Sequence, residues 1–265
     1  MSPLTGIEKK ARNQLVEILR NSKSTVTVQE AAGILKLSPQ KAAKLMARWV
    51  TQGWMVRLRR GLYAPVPMEA KTPYAAVEDP WIIAARVFGS CYIGGWSAAE
   101  HWGMTEQIFR TVMVFTLNPT NNRKPTIHAT EFWIKKIAKK QFFGKTIVWR
   151  GKEQIYVSDP AKTVVDMLDD PLAGGGAKTV KNILSHYWSE QKDKNLFLSY
   201  IKQMNNGAIN KRAGYLLEKI AGPGSPLLSK LQESLTSGNA KLDPSIPCRR
   251  LITRWRLWVP ESWEA

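Results

Sequence analysis

The stretch from Thr25 to Val66 constrains the fold of this chain more than any other. Thr27 and Glu30 form a capping-box pair at the start of a short predicted helix, since these residue types at this spacing satisfy two free backbone amides. Lys36-Leu37-Ser38 predicts a turn, because serine suits the N-cap of a second helix and the proline after it suits the first helical position. The pattern therefore predicts a helix-turn-helix.

The second of these helices, from Pro39 to about Gln52, has one apolar side and one polar side. Its apolar residues recur at i, i+3, i+4, i+7 and i+8, which is the period of a helical stripe: Ala42, Leu45, Met46, Trp49 and Val50. Gln40, Lys44 and Arg48 stack along the opposite side, with Lys41 beside them. Arginine and lysine bind guanine edges or phosphates and glutamine binds adenine, so we interpret this segment as a recognition helix that enters the major groove.

Residues 54–65 predict a basic β-hairpin after the recognition helix. Trp54, Val56 and Leu58 alternate with three residues of the other side, which predicts a strand with one apolar face: Met55, Arg57 and Arg59. Arg59-Arg60-Gly61 predicts the turn, and residues 62–65 predict the returning strand. This hairpin would be the wing of a winged helix. We expect Arg57, Arg59 and Arg60 to bind the DNA backbone or the minor groove. The alternative is an ordinary helical subdomain with a solvated charged face.

The net charge indicates a polyanionic partner. The 265 residues carry a formal charge of +18, which favours DNA or RNA over a membrane surface. Residues 1–78 hold 13 basic against 5 acidic residues and the remainder holds 26 against 16, so the second part is basic too. That part either contacts phosphate or has a basic surface for solubility. No signal sequence and no run of eighteen apolar residues is evident, so we expect a cytoplasmic protein without membrane association.

Prolines at positions 65, 67 and 73 predict a linker between two domains. Residues 1–78 would form the winged helix-turn-helix with its linker, and residues 79–265 a larger domain. Asp79-Pro80 opens a helix, residues 111–117 predict a buried strand, and residues 126–157 predict several further strands. The last hundred residues are mostly helical in pattern, but residues 250–259 alternate and predict one strand. The fold class is α+β.

Little in the sequence indicates catalysis. Asp166, Asp169 and Asp170 form a carboxylate cluster, but no Asp/Glu-x-Lys strand accompanies it, and the two cysteines and three histidines lack ligand spacing. We therefore predict no enzyme activity, no metal and no cofactor. Residues 174–179 superficially resemble a phosphate-binding loop, but Leu172 and Ala177 stand where the pattern has glycine. The helix that begins beside Lys178 could still accept a phosphate.

Two basic segments of the second domain form a possible second surface for nucleic acid or a partner. Basic residues interleaved with aromatic ones can hold single-stranded RNA, and four lysines lie among Phe132, Trp133, Phe142 and Phe143: Lys135, Lys136, Lys139 and Lys140. The alternative is a solvated strand edge whose lysines oppose aggregation. The predicted strand near the C-terminus adds a basic face with the same two interpretations: Arg250, Arg254 and Arg256.

Seven short blocks, in this order after the winged helix, are similar to a known family: residues 92–99, 102–107, 157–166, 171–175, 211–218, 242–244 and 254–255. The chain resembles, over nearly its whole length, the AbiEi antitoxins and autoregulators of bacterial type IV toxin–antitoxin systems, which are linked to abortive infection and phage defence. Two positions depart from the family pattern. Ala213 precedes the family glycine Gly214, and the glycine expected shortly before Arg254 is not evident in residues 247–250.

The resemblance implies that each of the two domains has its own function. The winged helix would bind repeats in the promoter of the protein's own operon and repress it. The C-terminal domain would counteract a nucleotidyltransferase toxin without forming a stable complex. Two alternatives stay open: a DNA-binding regulator without a toxin, and an RNA-binding protein in which residues 80–265 shield the toxin's RNA target.

Overall fold

The computed structural model describes residues 9–22, 25–66, 79–127, 129–151, 153–190 and 193–263. Over these residues the fold is α+β, with an N-terminal winged helix-turn-helix followed by a larger C-terminal domain, as the sequence predicts. The predicted linker, apart from its first residues, and the predicted boundary between residues 78 and 79 fall outside the described residues.

The winged helix consists of three helices and a small sheet. Its elements are α1 (Lys9–Asn21), β1 (Val26–Thr27), α2 (Val28–Leu35), α3 (Pro39–Thr51), β2 (Met55–Arg59) and β3 (Leu62–Pro65). The capping box is present, because the Thr27 hydroxyl accepts from the Glu30 amide at 3.2 Å and the Thr27 amide donates to the Glu30 carboxylate at 2.7 Å. The strand order is β1-β3-β2, antiparallel throughout.

This small sheet has apolar contacts on both faces. In β2, Val56 and Leu58 are buried and Arg57 and Arg59 are exposed, as predicted for a strand with one apolar side, but Met55 on the other side is buried as well. Met55 is 1% exposed and packs with Tyr63 against the three helices. The predicted apolar side faces away from those helices, where Val56 and Leu58 form a second cluster with Val66 and Val87. Val87 belongs to the C-terminal domain, so the sheet lies between the two parts of the chain.

The first half of the C-terminal domain is a mixed sheet with helices on it. Its elements are α4 (Pro80–Phe88), β4 (Cys91–Ile93), α5 (Gly95–His101), β5 (Thr111–Thr116), β6 (Thr126–Ile127), β7 (Thr130–Lys136), β8 (Lys145–Arg150) and β9 (Glu153–Ser158). The strand order is β6-β7-β5-β4-β9-β8, with β5–β7 and β4–β9 parallel. Ile83 and Ala84 of α4 cover one face, and the aromatic residues Trp96 and Phe115 pack on the other.

The second half is helical and contributes the largest core. Its elements are α6 (Pro160–Asp169), α7 (Ala177–Ser189), α8 (Lys194–Met204), α9 (Gly207–Ala221), α10 (Pro226–Glu233), β10 (Ala240–Lys241), β11 (Arg250–Ile252) and β12 (Leu257–Val259). α6 runs through the centre, and its residues from Ala161 to Leu168 are buried throughout. β10 and β11 flank β12 in a separate small sheet.

The prediction of one strand over residues 250–259 is wrong. Residues 250–252 and 257–259 form two antiparallel strands, and Thr253–Trp255 is a 3-10 turn between them. Arg256 closes the turn in the left-handed region, with a φ of 50°. The turn places Trp255 inside the core at 0% exposure. Alternation of residue types cannot reveal such a turn, because arginine is uncommon at positive φ.

Candidate nucleic-acid interface

The predicted recognition helix, α3, presents its polar side to solvent, as the sequence predicts. Ala42, Met46 and Trp49 are fully buried in the winged-helix core. The residues of the opposite side are all exposed: Gln40, Lys41, Lys44 and Arg48. The start of the helix is fixed by Ser38, whose hydroxyl accepts from the Lys41 amide at 3.4 Å. The arrangement provides one row of cationic and amide side chains on a rigid helix.

The wing presents its three arginines to solvent. Arg57, Arg59 and Arg60 are all exposed, and the pairing register of β2 shifts between Arg57 and Arg59. Gly61 completes the turn at a φ of 78°, which an L-residue adopts only with strain. The Gly61 carbonyl accepts from the Val28 amide at 3.1 Å, so the tip is tied to the first turn of α2. The wing is therefore attached to the helix-turn-helix.

The winged helix also packs against the C-terminal domain, through α4. Val87 of α4 packs on the outer face of the wing sheet. Arg86, one residue earlier, borders a cleft that Glu30 and Ile34 of α2 also line. Its guanidinium donates to both oxygens of the buried Glu153 carboxylate, at 2.8 and 2.9 Å, which anchors α4 to β9. A single helix thus contacts both the wing and the larger sheet.

The four lysines in the first segment of the possible second surface differ in their exposure and in their contacts. Lys135 is half-buried and forms ion pairs with Asp169 at 3.0 Å and with Asp170 at 3.1 Å. The other three lysines are exposed: Lys136, Lys139 and Lys140. Among the aromatic residues expected to accompany them, Phe132 is fully buried. The predicted interleaving with Phe132 therefore does not form a surface, because that ring points into the sheet core.

The three arginines of the second segment bind other groups of the same domain. Arg250 donates to the Trp263 carbonyl at 3.2 Å, and Arg256 donates to the carbonyls of Thr236 and Ser237. Arg254 forms an ion pair with Glu218. The guanidinium groups of all three arginines thus have partners near the C-terminal sheet.

A buried polar group that the sequence reasoning missed lies between the sheet and α6. Lys162 is 0% exposed and forms an ion pair with Asp166, and the Tyr92 hydroxyl donates to the same carboxylate at 2.8 Å. Burial raises the pKa of the Asp166 carboxyl, and Lys162 and Tyr92 oppose that rise. The signal for this group was the i, i+4 spacing of Lys162 and Asp166 within an otherwise apolar helix. All three groups are enclosed in the core, which indicates a structural role.

The predicted phosphate site at the start of α7 is occupied by a side chain of the protein. The Asp243 carboxylate accepts from the Ala177 amide at 2.9 Å and from the Ser245 amide at 2.9 Å. Burial alone would raise the pKa of Asp243, but hydrogen bonds from Ser245 and Ala177 outweigh it and lower the pKa. A carboxylate at this helix end already supplies the negative charge that a phosphate would bring.

No cluster of three or more potential metal ligands is gathered within the described parts of the chain. Over the same residues, no helix combines the length and the apolar character needed to cross a bilayer.

The helices, the turn and the basic wing together define a winged helix-turn-helix of the kind used by DNA-binding regulators. Residues 13–66 match the family model described as "Transcriptional regulator, AbiEi antitoxin", which confirms over this segment the resemblance seen in the sequence. The match supports an antitoxin or regulator role for the chain.

One solved structure extends the likeness to the C-terminal domain. The crystal structure of the RV2827C protein from Mycobacterium tuberculosis is similar to this chain with a TM-score of 0.65. The sequences are 16% identical, and the alignment covers 97% of this chain and 94% of that one. At this identity the likeness concerns the fold alone. A comparison with curated proteins gives no match.

Proposed function

We propose that the protein is a type IV antitoxin that represses its own operon through residues 1–78 and counteracts a nucleotidyltransferase toxin through residues 79–265. The observation that carries the proposal is the exposed row of Gln40, Lys44 and Arg48 on a helix of the AbiEi regulator family. This row would enter the major groove and choose the base sequence, while the wing arginines would hold the flanking phosphates. The net charge of +18 fits a polyanionic partner.

DNA binding is tested with duplexes from the protein's own promoter. We expect specific binding by the wild-type chain and at least about a tenfold loss for Lys44→Ala/Arg48→Ala, because a good base contact contributes about 1–3 kcal/mol. The matched control is Lys202→Ala/Lys230→Ala, which removes the same charge from exposed positions of α8 and α10. Equal losses in both variants would mean that only overall charge matters. An absence of promoter binding by the wild type would overturn the repressor role.

Toxin neutralisation is tested by co-expression with the neighbouring nucleotidyltransferase from an unrelated promoter, with cell growth as the readout. The full chain carrying Lys44→Ala/Arg48→Ala should still restore growth, since the proposal assigns neutralisation to the C-terminal domain. Rescue by the wild type alone would make DNA binding part of neutralisation. Failure of both proteins would leave the alternative of a regulator without a toxin.

A further inference from the structure

The hairpin of β8 and β9 has one exposed face that is rich in aromatic and aliphatic side chains. Trp149 is 62% exposed, and Tyr156 and Ile147 are each 46% exposed. Lys145 and Gln154 complete this face, which we call the β8–β9 face. Large apolar side chains gathered on one surface indicate a binding site more often than scattered ones do.

The opposite side of the same hairpin explains why these rings point outward. Val148, Ile155 and Val157 pack into the core under α4. Because side chains alternate along a strand, the residues between them must face the other way. In the described part of the chain β8 pairs with β9 alone, so it is an edge strand. The rings thus lie on the sheet, and no element among the described residues covers them.

The strand register leaves the rings of Trp149 and Tyr156 free to stack with planar groups. Ile147 lies opposite Tyr156, and Trp149 lies opposite Gln154. Trp149 and Tyr156 are therefore diagonal neighbours on adjacent strands, at a typical separation of about 7–8 Å. Sheets that bind RNA use this arrangement, with one base stacked on each exposed ring.

The charge on this face is positive. Lys145 lies 3.9 Å from the centre of the Phe142 ring and 5.4 Å from that of Tyr156. Among the described residues of β8 and β9, no acidic side chain lies on the face, because Glu153 is buried on the other side with Arg86. Exposed Lys139 and Lys140 lie in the turn that leads to Phe142 and β8.

We propose that the β8–β9 face binds single-stranded nucleic acid, with one unpaired base stacked on Trp149 and one on Tyr156. Lys145 and the lysines of the preceding turn would contact the phosphates. A duplex does not fit this site, because its bases are already stacked on one another and leave no ring face for the protein. Exposed tryptophan and tyrosine also occur where proteins bind each other, but lysine is depleted there, so the lysines at this face favour nucleic acid. The site is separate from the winged helix and does not depend on operator binding.

The test measures binding of the full chain to a labelled twelve-nucleotide single-stranded RNA, the DNA strand of the same sequence, and a duplex. Trp149→Ala/Tyr156→Ala should weaken binding of the single strands by about tenfold or more, because each stacked base contributes about 1–3 kcal/mol. Trp149→Phe/Tyr156→Phe keeps both rings and should bind within about twofold of the wild type. Binding of the duplex should not change. Tighter binding of the RNA would assign the site to RNA, and tighter binding of the DNA would assign it to DNA.

Ile108→Ala is the matched control, since this residue is 87% exposed and lies outside the β8–β9 face. Thermal unfolding of each variant checks that the fold is retained. The proposal is overturned if the wild type binds no single strand, or if the alanine pair binds single strands like the wild type. It is also overturned if the alanine pair changes only self-association in size-exclusion chromatography, because the face would then be a protein interface.

Discussion

The indole ring of Trp255 packs directly against the backbone of Gly214. A Cβ atom at position 214 would lie 2.0 Å from Cζ3 of that ring, closer than any side chain tolerates. Gly214 lies in the middle of α9, where glycine is otherwise unfavourable for a helix. Close packing of the turn between β11 and β12 on α9 therefore depends on the absence of a side chain at this position.

Gly214→Ala should lower the free energy of unfolding by about 1–3 kcal/mol or more, because the added methyl group overpacks the core. Denaturant unfolding measures the change. Gly33→Ala is the matched control, since Gly33 is also helical but has open space around it, and alanine should be neutral or stabilising there. Gly214→Ala/Trp255→Leu should recover part of the loss, and a double variant weaker than both single variants would contradict the proposed contact.

Lys162→Met should cost about 3–5 kcal/mol of stability, because it leaves the Asp166 carboxyl buried without its cation. Lys162→Met/Asp166→Asn should be more stable than Lys162→Met alone, since the amide is neutral and still accepts from Tyr92. Chemical unfolding of the two variants gives the comparison. Equal stabilities would mean that the charge of Asp166 is not stabilised by Lys162.

Asp243→Asn should lower the stability at pH 7 by about 1–3 kcal/mol, because it weakens hydrogen bonds to a buried carboxylate. The pKa of Asp243 is lower in the folded chain than its ordinary value of 3.8. Its stabilising effect is therefore present above that value and is lost as the pH falls through the folded-state pKa. Unfolding at pH 7, 5 and 3.5 should show the same gap between the two proteins at pH 7 and pH 5 and a smaller gap at pH 3.5. A gap independent of pH would contradict the role of the charge.

Arg59→Ala/Arg60→Ala should weaken DNA binding to a similar degree on all duplexes. Each lost phosphate contact lowers the slope of log affinity against log salt by about 0.9, so the slope should fall by about 2. Binding titrations between 50 and 200 mM salt (about a fourfold range) measure it. A loss confined to one operator sequence would show that these arginines read bases instead.

The winged helix was predictable because its determinants are local. The capping box at Thr27, the N-cap at Ser38 and the stripe through Trp49 each lie within a few residues of the element that they define. The C-terminal helix α10 was missed, although Ser225 before Pro226 is a helix-start pattern of the same kind. Local signals of this type thus sufficed for most helices and strands.

The arrangement of side chains around the larger sheet was not predictable, because it depends on contacts distant in the sequence. Phe132 was expected on an accessible basic surface but lies under α4. The sequence did not indicate that Trp149 and Tyr156 are exposed, because the outward face of β8 and β9 follows from the position of these strands at the sheet edge. The same holds for Asp243, whose helix partner Ala177 is 66 residues away.

The wing sheet packs between its own helices and α4, and this packing has a thermodynamic consequence. Val56 and Leu58 would be exposed to water if the winged helix separated from Val87, so the two parts of the chain stabilise each other. A ligand of the larger domain that changed the packing of α4 on β2 would alter the affinity for DNA. By linkage, DNA would change the affinity for that ligand by the same factor. The binding of DNA and the binding of that ligand would then be coupled.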